Sequence, residues 1–342
     1  MIDFWYIANL VCPMDRGALT FYEGQLLCAS GHRYPVVDGV PVMLITSVDQ
    51  TIDLASASLG RAKSAVLDAR APALHLESLG ISDQEKLGVI EMSKRGGAID
   101  PVVAYLVAAT NGLMYRHLIG SLDRYPLPDL PLPDGEGKSL LDIGCSWGRW
   151  TLAAGRRGYQ AVGIDPSLGA VMAARRVAKQ LGADVRYVVA DARHLPFADG
   201  RFGAVYSYSV LQHLSRTDTA AAVTEIGRVL SSGGVAKVQM PTALGIRCLF
   251  HQARRGFREG RGFEVRYWSI PALQRLFTRC VGTSRVEVDC YFGIGLQRAD
   301  ESLMTPRLRT ILSASEWLKR ASRRFRPLTW LADSVFIEAR AR

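Results

Sequence analysis

The sequence lacks any run of about 18 uninterrupted apolar residues, the length a membrane-spanning helix requires, so no spanning segment is expected. Its start, MIDFWYIANLVCP, lacks the basic n-region and small-residue cleavage site of a secretory leader, which points to a cytoplasmic protein. Cysteine is sparse. Cys12, Cys28, Cys145, Cys248, Cys280 and Cys290 are scattered over 342 residues, too thin a spread for a disulfide framework. Acidic residues are short in one region only. Residues 245–342 hold 19 Lys and Arg against nine Asp and Glu, whereas residues 1–244 hold 23 of each. The whole net charge of +10 therefore sits in the last 98 residues. Such an excess is either a solvated surface or an attraction for something anionic: a phosphate or carboxylate substrate, RNA, or a membrane surface.

What is present is enough chain for more than one unit. Residues 1–48 read as a small, turn-rich module bounded by cysteines. Residues 49–137 read as a helical and proline-rich linker. It holds short helices of weak periodicity, a helix over 98–123 with Pro101 near its start, and YPLPDLPLPDGEGK at 125–138. Alternating prolines favour an extended connector there. From residue 138 the pattern becomes regular. Apolar strands at 139–144, 160–165, 185–191, 202–210 and 235–241 alternate with helices, one of which Ser167 can cap. This predicts an α/β, doubly wound, mostly parallel sheet that binds its ligand at the carboxyl ends of the strands.

The turn after the first of these strands, LLDIGCSWGRW, narrows the ligand. A phosphate-binding P-loop needs Lys-Ser or Lys-Thr after its second glycine, and Arg149-Trp150 stands there. The spacing Gly144-x-x-x-Gly148 does not fit the Gly-x-Gly-x-x-Gly of a dinucleotide site. Acids then recur at strand ends: Asp142, Asp165, and Asp191. Asp165 is placed to accept from ribose hydroxyls, and Asp191 from an exocyclic amine.

LLDIGCSWGRW, GIDPS, ADARHLPFADGRFGAVYSYSVLQHL and EIGRVLSSGGVAKVQMP together resemble the class I S-adenosylmethionine-dependent methyltransferases, and the type 11-like group among them, over residues 138–241. The resemblance implies a seven-stranded, Rossmann-like sheet over 138–342, ending in an antiparallel hairpin at 284–292 and 333–340. It places Asp142, Gly144, Cys145 and Gly148 around the methionine part of the cofactor S-adenosyl-L-methionine, and Asp165 on the ribose. Asp191 and Ala192 would meet adenine, with Ser207 and Tyr208 beside them. Ser146 stands where many members carry glycine. Insertions at 242–268 and 293–332 would cap the substrate. They supply Arg254, Arg255, Arg258, Arg266 and Tyr267 as substrate-side candidates, since arginine suits bidentate contacts to carboxylate or phosphate. His213 is the candidate catalytic base, or else a packing histidine under the cofactor.

The N-terminal stretch resembles a zinc ribbon, with Cys12, Asp15, Cys28 and His32 as its ligands or as a metal-free relic of them. Similar ribbons occur in activators of tRNA and release-factor methyltransferases, and at the front of an rRNA guanine methyltransferase. The expected function is methylation of an O, N or C atom of a small or medium, anionic metabolite such as a sugar, lipid precursor or natural product. The alternatives are an RNA methyltransferase docking through the ribbon and basic region, and a non-catalytic cofactor-binding scaffold.

Overall fold

The computed structural model describes residues 2–50, 52–67, 74–293 and 295–342. Asp3 opens the chain by capping the short helix α1 (Phe4–Asn9), accepting from the Trp5 amide. Four antiparallel strands follow in sequential order: β1 (Leu19–Tyr22), β2 (Gln25–Cys28), β3 (Arg33–Val37) and β4 (Val40–Pro41). Glu23-Gly24 and Asp38-Gly39 join their hairpins with positive φ at both central residues, the handedness that matches strand twist.

The segment expected as a helical and proline-rich linker holds its helices as a cap on the α/β unit. It comprises α2 (Asp53–Leu67), a 3₁₀ turn at Leu76–Ser78, α3 (Asp83–Arg95) and α4 (Pro101–Asn111). Ser82 and Glu85 form a reciprocal capping box on α3. Asp100 caps α4 and also pairs with Arg176 at 2.6 Å. The helix expected over 98–123 ends at Asn111, because Gly112 turns to φ 105°, and a 3₁₀ turn at Leu113–Leu118 follows. Residues 51 and 68–73 of this segment, and 294 of the second insertion, lie outside the described residues.

The α/β unit then runs β5 (Ser139–Ile143), α5 (Arg149–Arg156), β6 (Gln160–Asp165), α6 (Leu168–Gln180), β7 (Arg186–Val189), β8 (Phe202–Ser207), α7 (Arg216–Val229) and β9 (Leu230–Pro241). It continues with α8 (Ile246–Arg254), α9 (Ile270–Cys280), β10 (Gly282–Cys290), α10 (Pro306–Arg324) and β11 (Ser334–Ala341). The seven-stranded sheet has the order β10-β11-β9-β8-β5-β6-β7. Strands β7, β6, β5, β8 and β9 are parallel, and β11 pairs antiparallel with both β9 and β10. Buried strands of this kind read as continuous apolar runs, which is why they were predictable.

The N-terminal module covers the outer edge of this sheet. Past β4 the chain lies alongside β7, with Val42 bridging Val189 in parallel and the Met43 amide donating to the Val189 carbonyl at 2.7 Å. An uncovered edge would offer unpaired backbone groups to other chains. A buried ion pair ties the remaining layers together. Arg149 at the start of α5 meets Asp300 in the second insertion, and Tyr115 after α4 donates to the same carboxylate at 2.5 Å. Losing one partner of such a pair typically costs about 3–5 kcal/mol. No described helix is long and apolar enough to cross a membrane.

Candidate active site

The carboxyl ends of β5 to β8 open onto a cavity of about 400 Å³, within the roughly 300–1,000 Å³ usual for small-molecule sites. Gly144 makes the turn above β5 with φ 75°, and a Cβ there would lie 2.2 Å from the Val210 side chain. Only glycine satisfies both conditions. The Gly144 and Cys145 amides both donate to the Ile164 carbonyl at 2.8 Å, so the loop is pinned to β6. Ser146 also has positive φ and donates its amide to Asp165 Oδ2 at 2.9 Å. Its hydroxyl is buried, unpartnered and part of the cavity wall.

Asp165 ends β6, and its second oxygen accepts from the Ser167 amide at 2.9 Å. Burial pushes its carboxyl up to about 6, while these two amide bonds pull it down. Asp191 and Ala192 line the cavity past β7. Arg193 holds Asp191 with Nη2–Oδ2 at 2.7 Å and reaches Asp218 at 3.0 Å. Its Nη2 also donates to the Asp49 carbonyl at 2.7 Å, at the front of the cap.

Four of the expected cofactor residues stand behind the wall rather than on it. Asp142 is buried under the loop, accepts from the Thr151 hydroxyl at 2.7 Å, and is pushed by burial up to about 7. Cys145 packs against Gly163. Gly148 starts α5 at φ 84°, where a Cβ would meet the Tyr187 hydroxyl at 2.3 Å. Ser207 donates to the Ile143 carbonyl at 3.0 Å. These four shape the turn that carries the wall.

Tyr208 is on the wall. Its ring leans on Trp150 at 4.9 Å, and its hydroxyl donates to Asp289 at 3.0 Å. His213 is also on the wall. Its ring lies flat against Phe263, with centroids 3.9 Å apart, and its Nδ1 is 2.7 Å from the Phe263 carbonyl. A carbonyl only accepts, so Nδ1 carries the proton and the Nε2 lone pair accepts from the Gln212 side-chain amide at 3.2 Å. Burial and the charge of Arg266 press the imidazole pKa below its ordinary value.

Sequence reasoning missed the roof. Leu54, Leu79, Leu106 and Thr110 of the helical cap face the cavity. The Ser58 hydroxyl accepts from the Leu168 amide at 2.9 Å, and the Ser78 hydroxyl from the Gly169 amide at 2.8 Å. Helix α6 is N-capped by Ser167, as expected, which accepts from the Ala170 amide at 3.1 Å, and two serines distant in sequence satisfy further free amides of its first turn. Serines spaced for another helix's amides leave no apolar periodicity to read.

The arginine expectation is corrected. No Lys or Arg lines the cavity among the described residues, whereas Asp53, Asp165 and Asp191 do. Arg258 is paired with Glu264 at 2.6 Å, and Arg255 donates to the Val265 carbonyl at 2.8 Å over the Tyr267 ring. Arg254 lies on the exposed end of α8 over Phe250. Arg266 donates to the His213 carbonyl at 2.6 Å and so fastens the insertion to the cavity rim. Arg255, Arg258 and Arg266 are bound up in holding neighbouring backbone and Glu264, Arg254 faces away at the end of α8, and the anionic-substrate expectation loses its carrier. The acidic wall, the unpartnered Ser146 hydroxyl and the carboxylate of Asp165 at the end of β6 do fit a cationic sulfonium nucleoside.

In the N-terminal module, one ligand atom from each of Cys12, Asp15, Cys28 and His32 lies within 4.8 Å of the others. His32 Nδ1 is 3.3 Å from Cys12 Sγ, 3.2 Å from Cys28 Sγ and 3.2 Å from Asp15 Oδ2. Ligands around a tetrahedral zinc sit about 3.3–3.8 Å apart, given bonds of roughly 2.0–2.3 Å, so this donor set fits zinc. Hydrogen bonds from Ser30 and the Gly17 amide hold the Asp15 carboxyl below the usual carboxylate range.

Comparison with known proteins agrees with this geometry. A family model described as a methyltransferase domain matches residues 140–234. The ubiquinone biosynthesis O-methyltransferase of Alkalilimnicola ehrlichii is 35% identical over 100 residues, covering 29% of this chain and 40% of that one. The O-methyltransferase resE of Aspergillus sclerotiorum is 35% identical over 106 residues, covering 30% of this chain and 39% of that one. The matched stretch thus spans about two fifths of these relatives' length. Among solved structures, the YcgJ protein of Bacillus subtilis has 22% identity and a TM-score of 0.42, covering 61% of this chain and 93% of that one. The [4+2]-cyclase SpnF has 23% identity and a TM-score of 0.39, covering 61% and 75%. Residues 140–234, which supply the strand ends that line the cavity, are thus the part of the chain that matches a methyltransferase domain.

Proposed function

We propose that this chain is an S-adenosylmethionine-dependent methyltransferase acting on a hydroxyl of a small, largely apolar molecule. The observation that carries this reading is His213, a neutral imidazole on the wall of the same cavity as Ser146, Asp165 and Asp191, whose Nε2 lone pair is held only by the side-chain amide of its neighbour Gln212 at 3.2 Å and would exchange that partner for the acceptor hydroxyl. When bound, the cofactor would supply a methyl group activated on sulfonium. Asp165 would accept from the ribose hydroxyls, and Asp191 and Ala192 would border the adenine. The Ser146 hydroxyl would gain the partner it lacks. His213 Nε2 would take the acceptor hydroxyl's proton, while Phe263 covers the ring and keeps water off it. Leu54, Leu79 and Leu106 favour an apolar acceptor. The O-methyltransferases named above support oxygen as the acceptor atom. The four N-terminal ligands would hold one structural zinc, which braces the module against β7.

Methyl-labelled cofactor and a fractionated host extract test this reading. Label is expected in a low-mass fraction that resists ribonuclease. His213→Ala should reduce that labelling by about 10²–10⁴ and leave affinity for S-adenosylhomocysteine unchanged. Label that disappears on ribonuclease treatment would replace the small-molecule reading with an RNA one. Full labelling by the alanine variant would return His213 to a packing role.

A further inference from the structure

Helix α8 turns its apolar stripe outward. Ile246, Leu249, Phe250 and Ala253 fall at i, i+3, i+4 and i+7, one face of a helix, and all four are exposed. Phe250 is 57% accessible. Cys248 is the helix's one buried residue. A water-facing surface helix normally does the reverse.

The exposed apolar surface continues beyond α8. Asp333 Oδ1 accepts from the Arg247 and Cys248 amides at 2.7 and 3.0 Å, and the Thr242 hydroxyl donates to the Ala332 carbonyl. The turn that precedes β11 is thereby fixed to the start of α8. It brings exposed Trp330 and Leu331 to the same edge as exposed Leu244 and Ile246. Basic groups lie on the same segments, Arg254 on α8 and Arg326 at the turn, and on the end of α10 that leads into that turn. Arg254, Arg320, Arg323, Arg324 and Arg326 are exposed and have no carboxylate partner among the described residues. On α10, Trp317, Arg320 and Arg324 share one face at i, i+3 and i+7.

We infer that α8 and the turn at Arg326–Leu331 form a face that docks on an anionic lipid surface. An apolar stripe with arginines on the same segments matches the two layers of that surface: the acyl boundary takes the side chains and the phosphates take the charges. RNA would answer the arginines but leave Ile246, Leu249 and Phe250 in water. A second copy of the chain would bring two basic faces together. The insertion that carries α8 also carries Phe263, which is exposed and lines the cavity. Docking would therefore bring the cavity mouth to the membrane. The inference rests on this surface and not on the methyl-transfer reading.

Cosedimentation of the full chain with vesicles tests it. The protein should pellet with equimolar phosphatidylglycerol and phosphatidylcholine, and about tenfold less with phosphatidylcholine alone. High salt should weaken the binding. Leu249→Ser combined with Phe250→Ser should lower the partition coefficient by at least about tenfold. Arg323→Glu with Arg324→Glu should lower it comparably. Both double variants should keep wild-type affinity for S-adenosylhomocysteine, which shows that they fold. Absence of pelleting overturns the inference, as does pelleting that survives the Leu249 and Phe250 changes. So would a wild-type dimer, seen by light scattering, that those changes dissolve. RNA binding that depends on the arginines and ignores the apolar pair would overturn it as well.

Discussion

Replacing Asp165 with Asn changes one atom and removes one charge at the centre of the site. Both carboxylate oxygens already accept backbone amides, from Ser146 at 2.9 Å and Ser167 at 2.9 Å. The Asn side chain has one acceptor oxygen, so one of these amides must face an NH₂ group. That leaves a buried donor unsatisfied, at a cost of about 1–3 kcal/mol. Against this, the native carboxylate is itself poorly solvated, since burial lifts its pKa to about 6. The stability loss should therefore lie at the low end of that range. Binding should suffer more. Ribose hydroxyls that donate to a charged acceptor lose about 1.5–3 kcal/mol when that charge is removed, or roughly 10–150-fold in affinity. Calorimetric titration with S-adenosylhomocysteine measures the affinity, and a thermal melt measures the fold. A folded variant that binds within twofold of wild type would refute the assignment of Asp165 to the ribose.

Two further outcomes are expected. In the free protein Asp165 holds its proton up to about pH 6, and an ionised carboxylate is the better acceptor. Affinity for S-adenosylhomocysteine should therefore rise from about pH 5 to about pH 7 and then level off, with proton release on binding in the acidic window. A flat profile, or one that Asp165→Asn retains, would oppose this. Purified protein should carry about one zinc, and chelation should lower its melting temperature, because the module covers the β7 edge. Metal-free protein with an unchanged melt would remove the zinc site.

The strands and their acids were legible because burial on both faces writes an unbroken apolar run, as in SLLDI and FGAVYS. The cluster of Cys12, Asp15, Cys28 and His32 was legible because its spacing is local in sequence. The roof was not legible. Helix α2, DLASASLGRAKSAVL, meets α6 through a serine hydroxyl and small residues, which carry no helical hydrophobic period. The arginines of 242–268 misled for a related reason. Composition records charge but not direction, and Arg255, Arg258 and Arg266 spend theirs on neighbouring carbonyls and Glu264. Asp142 and Gly148 look like binding residues because they are spaced like them, yet both serve the turn's own geometry.

The serine caps on α6 also decide how molecules enter and leave. Asp165 and Ser167 are two residues apart, and the Leu168 and Gly169 amides that follow are held by Ser58 and Ser78 of the roof. Lifting the roof would leave the Leu168 and Gly169 amides unpaired, beside the loop that carries Asp165, the proposed ribose ligand. That side is a fixed wall. Entry then falls to the opposite rim, where Phe263 leans on His213 and two arginines tie the insertion down, Arg266 to the His213 carbonyl and Arg216 to Glu259 and the Tyr267 carbonyl. Substrate would pass beneath the proposed base on its way in, and product would pass it on its way out.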